Sequence, residues 1–342
     1  MMITRKGIIC HVASVVMVLM FAFPSMARAE IVIKYATYFT PSYKEHFIGM
    51  NKFVDVVNEK GKGKVRVEFY HSETMLKADA LFSGLMMGAA DAVTVPMVYW
   101  HGTLPLSQGL SLPNIWKGDM ERYKRSVTMG SPIANLLNDN FAKKNLFCIF
   151  SVINDQEWLW TTNKLPNSMA DIKGLKLRSS GLVPAEVIQR IGGSPTNMSS
   201  GEVFMALQRG TVDGTIATYT TVYSRALHEQ LRYKINDYAF DYHGPIVIAF
   251  KKDYWDKLPG DVRKIIEDAG KEFQETIFKA SDEMTKEQIV TIKKHTKFID
   301  LSPQAREGFN EALSPMYKWW LSRGEIGEPG NKLLELIKST EK

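Results

Sequence analysis

Arg178 closes the run Asp171-Ile-Lys-Gly-Leu-Lys-Leu-Arg178-Ser-Ser-Gly181. Leu175 and Leu177 alternate as a short strand does, and the strand ends on the arginine just before small polar residues. A guanidinium is a planar, permanently charged fork, and a strand end holds it still. Such a group grips a carboxylate through two parallel hydrogen bonds. Downstream stand Gly192-Gly-Ser-Pro-Thr196 and Glu202-Val-Phe-Met-Ala-Leu-Gln-Arg-Gly-Thr-Val-Asp-Gly214. The chemistry on offer is capture of an acid rather than its transformation.

The signatures of turnover are missing from the sequence. It contains no Gly-x-Ser-x-Gly elbow, no His-Glu-x-x-His, no Walker loop and no complete Gly-x-Gly-x-x-Gly. Gly61-Lys-Gly63 joins a helix to a strand, and His228-Glu229 lacks a second histidine at helical spacing. The seven histidines are scattered, so no metal site, catalytic residue or cofactor is expected. Carboxylates are plentiful but lie on charged helix faces, where solvation is the ordinary state. The formal charge is +6, of which Arg5, Lys6 and Arg28 contribute three, leaving +3 on the rest. Basic and acidic residues interleave, which gives no case for nucleic acid.

The first 29 residues read as an export signal. Arg5 and Lys6 precede an apolar run from Ile8 to Phe23, and Ala27-Arg28-Ala29 is a small-x-small cleavage site. The expectation is an exported protein cleaved near Ala29, with no membrane span in the mature chain. Cys10 falls inside the signal. Cys148 alone remains, in the apolar run Leu146-Phe-Cys-Ile-Phe150, and reads as a buried small hydrophobe.

The elements that must hold Arg178 follow an α/β grammar. A strand at Ile31–Thr37, a helix from Tyr43 to Glu59, a strand with Val65, Val67 and Phe69, a helix from Ala78 to Met87 and a strand from Asp91 to Val95 make β-α-β-α-β. Ligands sit beyond the carboxyl ends of such strands, here near Tyr38, Pro96 and Tyr99. The same grammar resumes with strands at 158–162, 174–178 and 213–217 and helices at 184–191 and 202–209. Gly88-Ala-Ala-Asp91 and Gly210-Thr-Val-Asp213 echo one another as a helix stop before a strand. Leu258-Pro-Gly-Asp261 opens a long helix reaching about Lys294, and 306–320 reads as a further helix. The fold class expected is a two-lobed α/β clamshell with a long C-terminal helix packing along both lobes. Lobe I is expected at 30–153 plus 244–283, and lobe II at 154–243 plus 284–342.

From Met169 to Ala269 the sequence resembles the solute-binding proteins of tripartite ATP-independent periplasmic (TRAP) transporters, of the C4-dicarboxylate-binding type. The matching residues are Ala170-Asp-Ile-Lys-Gly-Leu-Lys-Leu-Arg178, Gly192-Gly-Ser-Pro195, Glu202-Val-Phe-Met-Ala-Leu-Gln208, Gly210-Thr-Val-Asp-Gly214 and Leu258-Pro259, in family order and spacing. The first strand and the Tyr70-His-Ser-Glu-Thr74 region fit more loosely. The resemblance implies a periplasmic receptor that closes on a small organic acid and delivers it to a small and a large TRAP membrane subunit driven by an ion gradient. It places Arg178 on the family's carboxylate-binding arginine. The same clamshell also serves sensor kinases and ATP-driven importers, and a periplasmic enzyme is the remaining alternative.

The departures from the family shape the expected ligand. Many relatives follow Val-Asp-Gly with Gln-Glu-Asn, whereas here Thr215-Ile-Ala217 stands and the amide is gone. Trp158 occupies the position where sialic-acid-type members carry a second arginine. Tyr38 follows the first strand, and Ser200 stands where some relatives place an aromatic. Tyr99, Tyr219, Trp100 and Tyr223 add to an aromatic complement. The candidate ligand residues are therefore Arg178, Trp158, Tyr38, Tyr99, Ser200, Tyr219 and Ala217. The expected ligand is a monocarboxylate with an apolar or aromatic body.

Overall fold

The computed structural model describes residues 29–237 and 244–341. The export signal, apart from Ala29, and the expected lobe junction at residue 243 lie outside the described residues.

Eleven strands are described: β1 Ile31–Thr37, β2 Val65–Tyr70, β3 Ala92–Pro96, β4 Leu146–Ser151, β5 Glu157–Thr161, β6 Lys176–Ser179, β7 Ser194–Asn197, β8 Gly214–Thr218, β9 Tyr233–Ile235, β10 Ile246–Lys251 and β11 Lys297–Ile299. They form a five-stranded sheet, β2-β1-β3-β10-β4, and a six-stranded sheet, β11-β9-β5-β8-β6-β7. In the first, β1 runs parallel to β2 and β3, while β10 runs antiparallel to β3 and β4. In the second, β6 runs parallel to β7 and β8, and β5 runs antiparallel to β8 and β9. Pro195 lies in β7, the outermost strand, where a residue without an N–H costs the ladder least.

The two sheets share a local device. Gly88 and Gly210 end their helices in the left-handed region, at φ 78° and 67°, which is cheap only for glycine. Three residues on, Asp91 Oδ2 accepts the backbone N–H of Lys34 in β1, and Asp213 Oδ2 accepts that of Lys176 in β6, each at 2.8 Å. Both aspartates thus lock a strand that is about to start to its parallel neighbour. The short sequence echo is a repeated structural solution.

The chain passes between the sheets at 152–156, between β9 and β10, and through the helix Gly260–Ile292. That helix has 33 residues and belongs to both halves. It packs on the helix Lys44–Lys60 and on β4 at one end, and on the helix Tyr219–Ser224 at the other. Gly49 permits the close approach, because a Cβ there would lie 2.9 Å from Ile277 Cβ. At the far end Ile292 is buried among Trp160, Val222 and Leu231. The first crossing is pinned to it: Asn154 N–H donates to Ser281 Oγ at 2.6 Å, and Asn154 Nδ2 to Asp282 Oδ1 at 2.7 Å. The helix is charged along its length, and no described helix is long and apolar enough to cross a membrane.

The tail divides its packing. The single helix read over 306–320 is two, Pro303–Leu313 and Met316–Leu321, because Pro315 has no N–H to continue the ladder. Pro303–Leu313 packs on second-sheet helices. The last helix, Gly327–Ser339, packs on the helix Pro132–Ala142 and on Pro105–Ser111. Tyr317 and Trp320 donate to the carbonyls of Pro113 and Pro105, at 2.9 and 3.2 Å. Cys148 is fully buried in β4, and burial pushes its thiol well above the usual range, so it is inert packing.

Candidate ligand-binding site

β6 ends on Arg178 and Ser179, and the chain turns through Ser180 and Gly181 into the helix Leu182–Arg190. Arg178 is only 2 % exposed. Its Nε donates to Met198 O at 3.0 Å and its Nη1 to Ile216 O at 3.1 Å. Two neutral carbonyls fix the plane of the guanidinium and leave Nη2 outside both bonds. No carboxylate among the described residues pairs with it. A buried cation that makes no ion pair is stabilised when an anion completes it.

Arg178 faces a cavity of about 60 Å³ between the lobes. The first lobe contributes Tyr38, Phe39, Tyr43, His46, Pro96 and Tyr99, and the second contributes Glu157, Ser180, Ser200, Thr218 and Thr221. The placement follows from topology: Tyr38 and Phe39 follow β1, Pro96 closes β3, and Thr218 closes β8. Thr218 has a second task, since its Oγ1 accepts Thr221 N–H at 3.0 Å and caps the next helix. Burial, with Tyr99 and Tyr43 adding to it, pushes the Tyr38 hydroxyl well above its ordinary range. The Tyr38 phenol therefore stays a neutral donor.

Ser200 ties the halves together. Its N–H donates to Tyr99 Oη at 2.8 Å, and its Oγ accepts from Tyr43 Oη at 3.0 Å. Arg225 Nε also reaches Tyr43 Oη, at 3.3 Å, with its guanidinium over the ring. At Gly181 the lobes meet with no side chain between them; a Cβ there would lie 2.6 Å from Val98 O. Beyond Tyr99 and Ser180, which border both spaces, lies a wider cavity of about 510 Å³ lined also by Glu73, Lys77, Trp100 and Met198.

Of the residues expected from sequence, Arg178, Tyr38, Tyr99 and Ser200 come together around one cavity. Trp158, Tyr219 and Ala217 are placed elsewhere. Trp158 and Ala217 pair across β5 and β8 one residue inward from the Glu157–Thr218 pair that borders the cavity. They lie instead in a second hydrophobic cluster. There Lys234, fully buried, sets its Nζ 3.4 Å from the Trp158 ring centroid and 5.1 Å from that of Tyr219. Burial pushes this ammonium down to about 7, with Asp155 and Asp300 opposing the shift. Asp155, at the first crossing, is raised to about 7, again chiefly by burial, while Thr220 N–H donates to it at 2.7 Å.

Tyr43 and His46 border the cavity although the sequence reading passed over them. Their signal was position: they open the helix that follows β1, at the carboxyl end of a parallel strand, where such sheets bind ligands. Among the described residues no group of three or more His, Cys, Asp or Glu gathers to hold a metal ion.

The two α/β lobes meet around this cavity, with Arg178 buried in its wall. A sequence model of the bacterial extracellular solute-binding protein family 7 (DctP) matches residues 36–323, and the chain belongs to that family, the solute-binding proteins of TRAP transporters. It is similar to the C4-dicarboxylate-binding periplasmic protein DctP of Rhodobacter capsulatus, with 28% identity over 324 residues covering 92% of this chain and 94% of the relative. Among solved structures it is similar in fold to a TRAP periplasmic solute-binding protein from Desulfovibrio salexigens with bound orotic acid. The TM-score is 0.82 at 21% identity, covering 91% of this chain and 98% of that one. A TRAP periplasmic solute-binding protein from Shewanella oneidensis with bound succinate superposes with a TM-score of 0.80 at 20% identity, covering 92% and 100%.

Proposed function

We propose that this protein captures a carboxylate-bearing organic acid in the periplasm and hands it to the small and large membrane subunits of an ion-gradient-driven TRAP transporter. The observation that carries the reading is Arg178: buried, oriented by two carbonyls, and facing an interlobe cavity without an acid to pair with. An incoming carboxylate supplies the missing charge. Closure then removes water, and the attraction strengthens as the local dielectric falls. The ligand shifts the balance between open and closed forms by its greater affinity for the closed one.

The favoured ligand is a monocarboxylate with an apolar or aromatic body. A second carboxylate would meet no second cationic side chain among the described residues lining the small cavity. Its apolar and aromatic lining, Tyr38, Phe39, Tyr43, Pro96, Val98 and Ile246, suits an apolar body. A longer body extends past Tyr99 toward the wider space beside Trp100 and Met198. We divide the described residues into lobes as 30–153 with 244–283 and 316–341, and 154–237 with 284–315. The tail is assigned by the packing of the last helix against 105–111 and 132–142.

The test is a thermal-shift screen of aromatic and aliphatic mono- and dicarboxylates, followed by calorimetry, since a ligand that binds only the folded protein raises its melting temperature. Monocarboxylates are expected to bind. Tight binding of dicarboxylates with none of the monocarboxylates would reverse the ligand assignment.

A further inference from the structure

Among the polar groups that line the cavity, His46 has no part in carboxylate capture by Arg178. His46 sits in the first turn of the helix Lys44–Lys60 and is 3% exposed, yet it borders the same 60 Å³ space as Arg178. Phe39 and Tyr43 clamp its ring, with centroids 4.5 and 5.3 Å away. Nδ1 is buried without a hydrogen-bond partner. The nearest acid, Glu45 Oε1, is 3.9 Å from it, beyond hydrogen-bond reach. No hydrogen bond to a described residue is made by Nε2 either, and His46 is among the residues that line the cavity. Burial pushes the imidazole down to about 3, so at neutral pH it offers one donor and one acceptor but no charge.

The size of the cavity fixes what His46 can touch. A volume of about 60 Å³ holds on the order of four waters, the bulk of a three-carbon acid. When a carboxylate occupies Arg178, only the next one or two atoms of the ligand remain within this space. A buried imidazole rewards an oxygen there and is left unpartnered by a methylene.

We propose that His46 is a specificity-determining ligand contact, whose neutral imidazole hydrogen-bonds an oxygen on the carbon next to the carboxylate held by Arg178. The receptor then selects 2-oxo and 2-hydroxy monocarboxylates over plain acids of equal length. This inference rests on the carboxylate reading of Arg178. A neutral imidazole also gives a second carboxylate no counter-charge.

Pyruvate, lactate and propionate, which differ only at the second carbon, are the probes, with binding to the full mature chain measured by calorimetry. The native protein is expected to bind the first two at least tenfold more tightly than propionate. His46→Phe keeps an aromatic ring without the two nitrogens and is expected to bring all three within twofold of one another. His46→Gln keeps a hydrogen-bonding group and retains at least threefold discrimination. In ¹⁵N-histidine-labelled native protein, the Nε2 resonance of His46 is expected to move with pyruvate and not with propionate, a readout independent of whether variants fold. Discrimination that survives His46→Phe, an equal weakening of all three acids, an unmoved Nε2 resonance, or no binding of any probe overturns the proposal. Arg178→Ala separates the two levels: unchanged pyruvate affinity in that variant removes the carboxylate reading, whatever the His46 variants do.

Discussion

Arg178 and Lys234 are two buried cations carried by one six-stranded sheet, and they meet opposite fates. Arg178 ends β6, lies between two backbone carbonyls and faces a cavity. Lys234 in β9 lies among the rings of Trp158, Tyr219 and Phe298, with Nζ donating to Asn236 Oδ1 at 3.0 Å. A guanidinium holds its proton at any pH a protein meets, whereas an ammonium in the same predicament can surrender it. Burial drives Lys234 down to about 7. On the function proposed above, one cation awaits an external anion; the other is accommodated by aromatic faces and by partial neutralisation. Burial of charge alone therefore does not mark a ligand site. The space in front of the charge does.

The largest effect expected is on Arg178. Arg178→Ala is predicted to weaken acid binding at least a hundredfold in calorimetry, about 3 kcal/mol, because a desolvated carboxylate loses its counter-charge. Lys234→Met is the matched control, predicted to leave affinity within twofold and to raise the melting temperature, since an apolar chain suits the aromatic cage better than an ammonium. A hundredfold loss in Lys234→Met would erase the distinction between the two sites.

Next is the lobe contact at Gly181. Its backbone is extended, at φ 170°, so alanine fits locally, but the added methyl would lie 2.6 Å from Val98 O in the other lobe. Gly181→Ala is predicted to cost about tenfold in affinity with little change in melting temperature. X-ray scattering should show a smaller compaction on ligand addition.

Asp155 supplies a pH test. Its carboxyl is raised from 3.8 to about 7 by burial. A raised acid favours the folded state below its unfolded value, and that contribution fades as pH climbs from about 4 to 7. Asp155→Asn removes the titration, so the gain in stability over native protein should be roughly 2–3 kcal/mol larger at pH 8 than at pH 5. Chemical denaturation at the two pH values measures it. Lys234 titrates in the opposite sense, gaining stability as pH rises from about 7 toward 10.5, so the comparison is best made in the Lys234→Met background as well. The smallest effect is that of Tyr99→Phe, which removes the acceptor for Ser200 N–H and is predicted to weaken binding about fivefold, roughly 1 kcal/mol.

Much of this arrangement was legible in the chain. The first βαβ unit, the strand ending on Arg178 and the long helix from Gly260 all carry apolar periodicity strong enough to read, and the carboxyl-end rule led to Tyr38, Pro96 and Tyr99. Trp158 and Ala217 were chosen by matching family positions, and Tyr219 for its aromatic ring. Such matching gives the strand but not how far along it the cavity extends, and one residue step from Glu157 to Trp158 leaves the cavity wall. β7, β9 and β11 have three or four residues each, too few for alternation to show. His46 and Tyr43 were hidden because helical periodicity sorts residues into inner and outer faces and says nothing of which inner face borders an open space.

The 33-residue helix anchored in both lobes sets a mechanical condition on transport. A continuous rod gripped at each end cannot let its supports separate unless it bends or its grip slips, and bending lengthens backbone hydrogen bonds on one side. On the function proposed above, part of any work done in parting the lobes is held as elastic curvature of this helix.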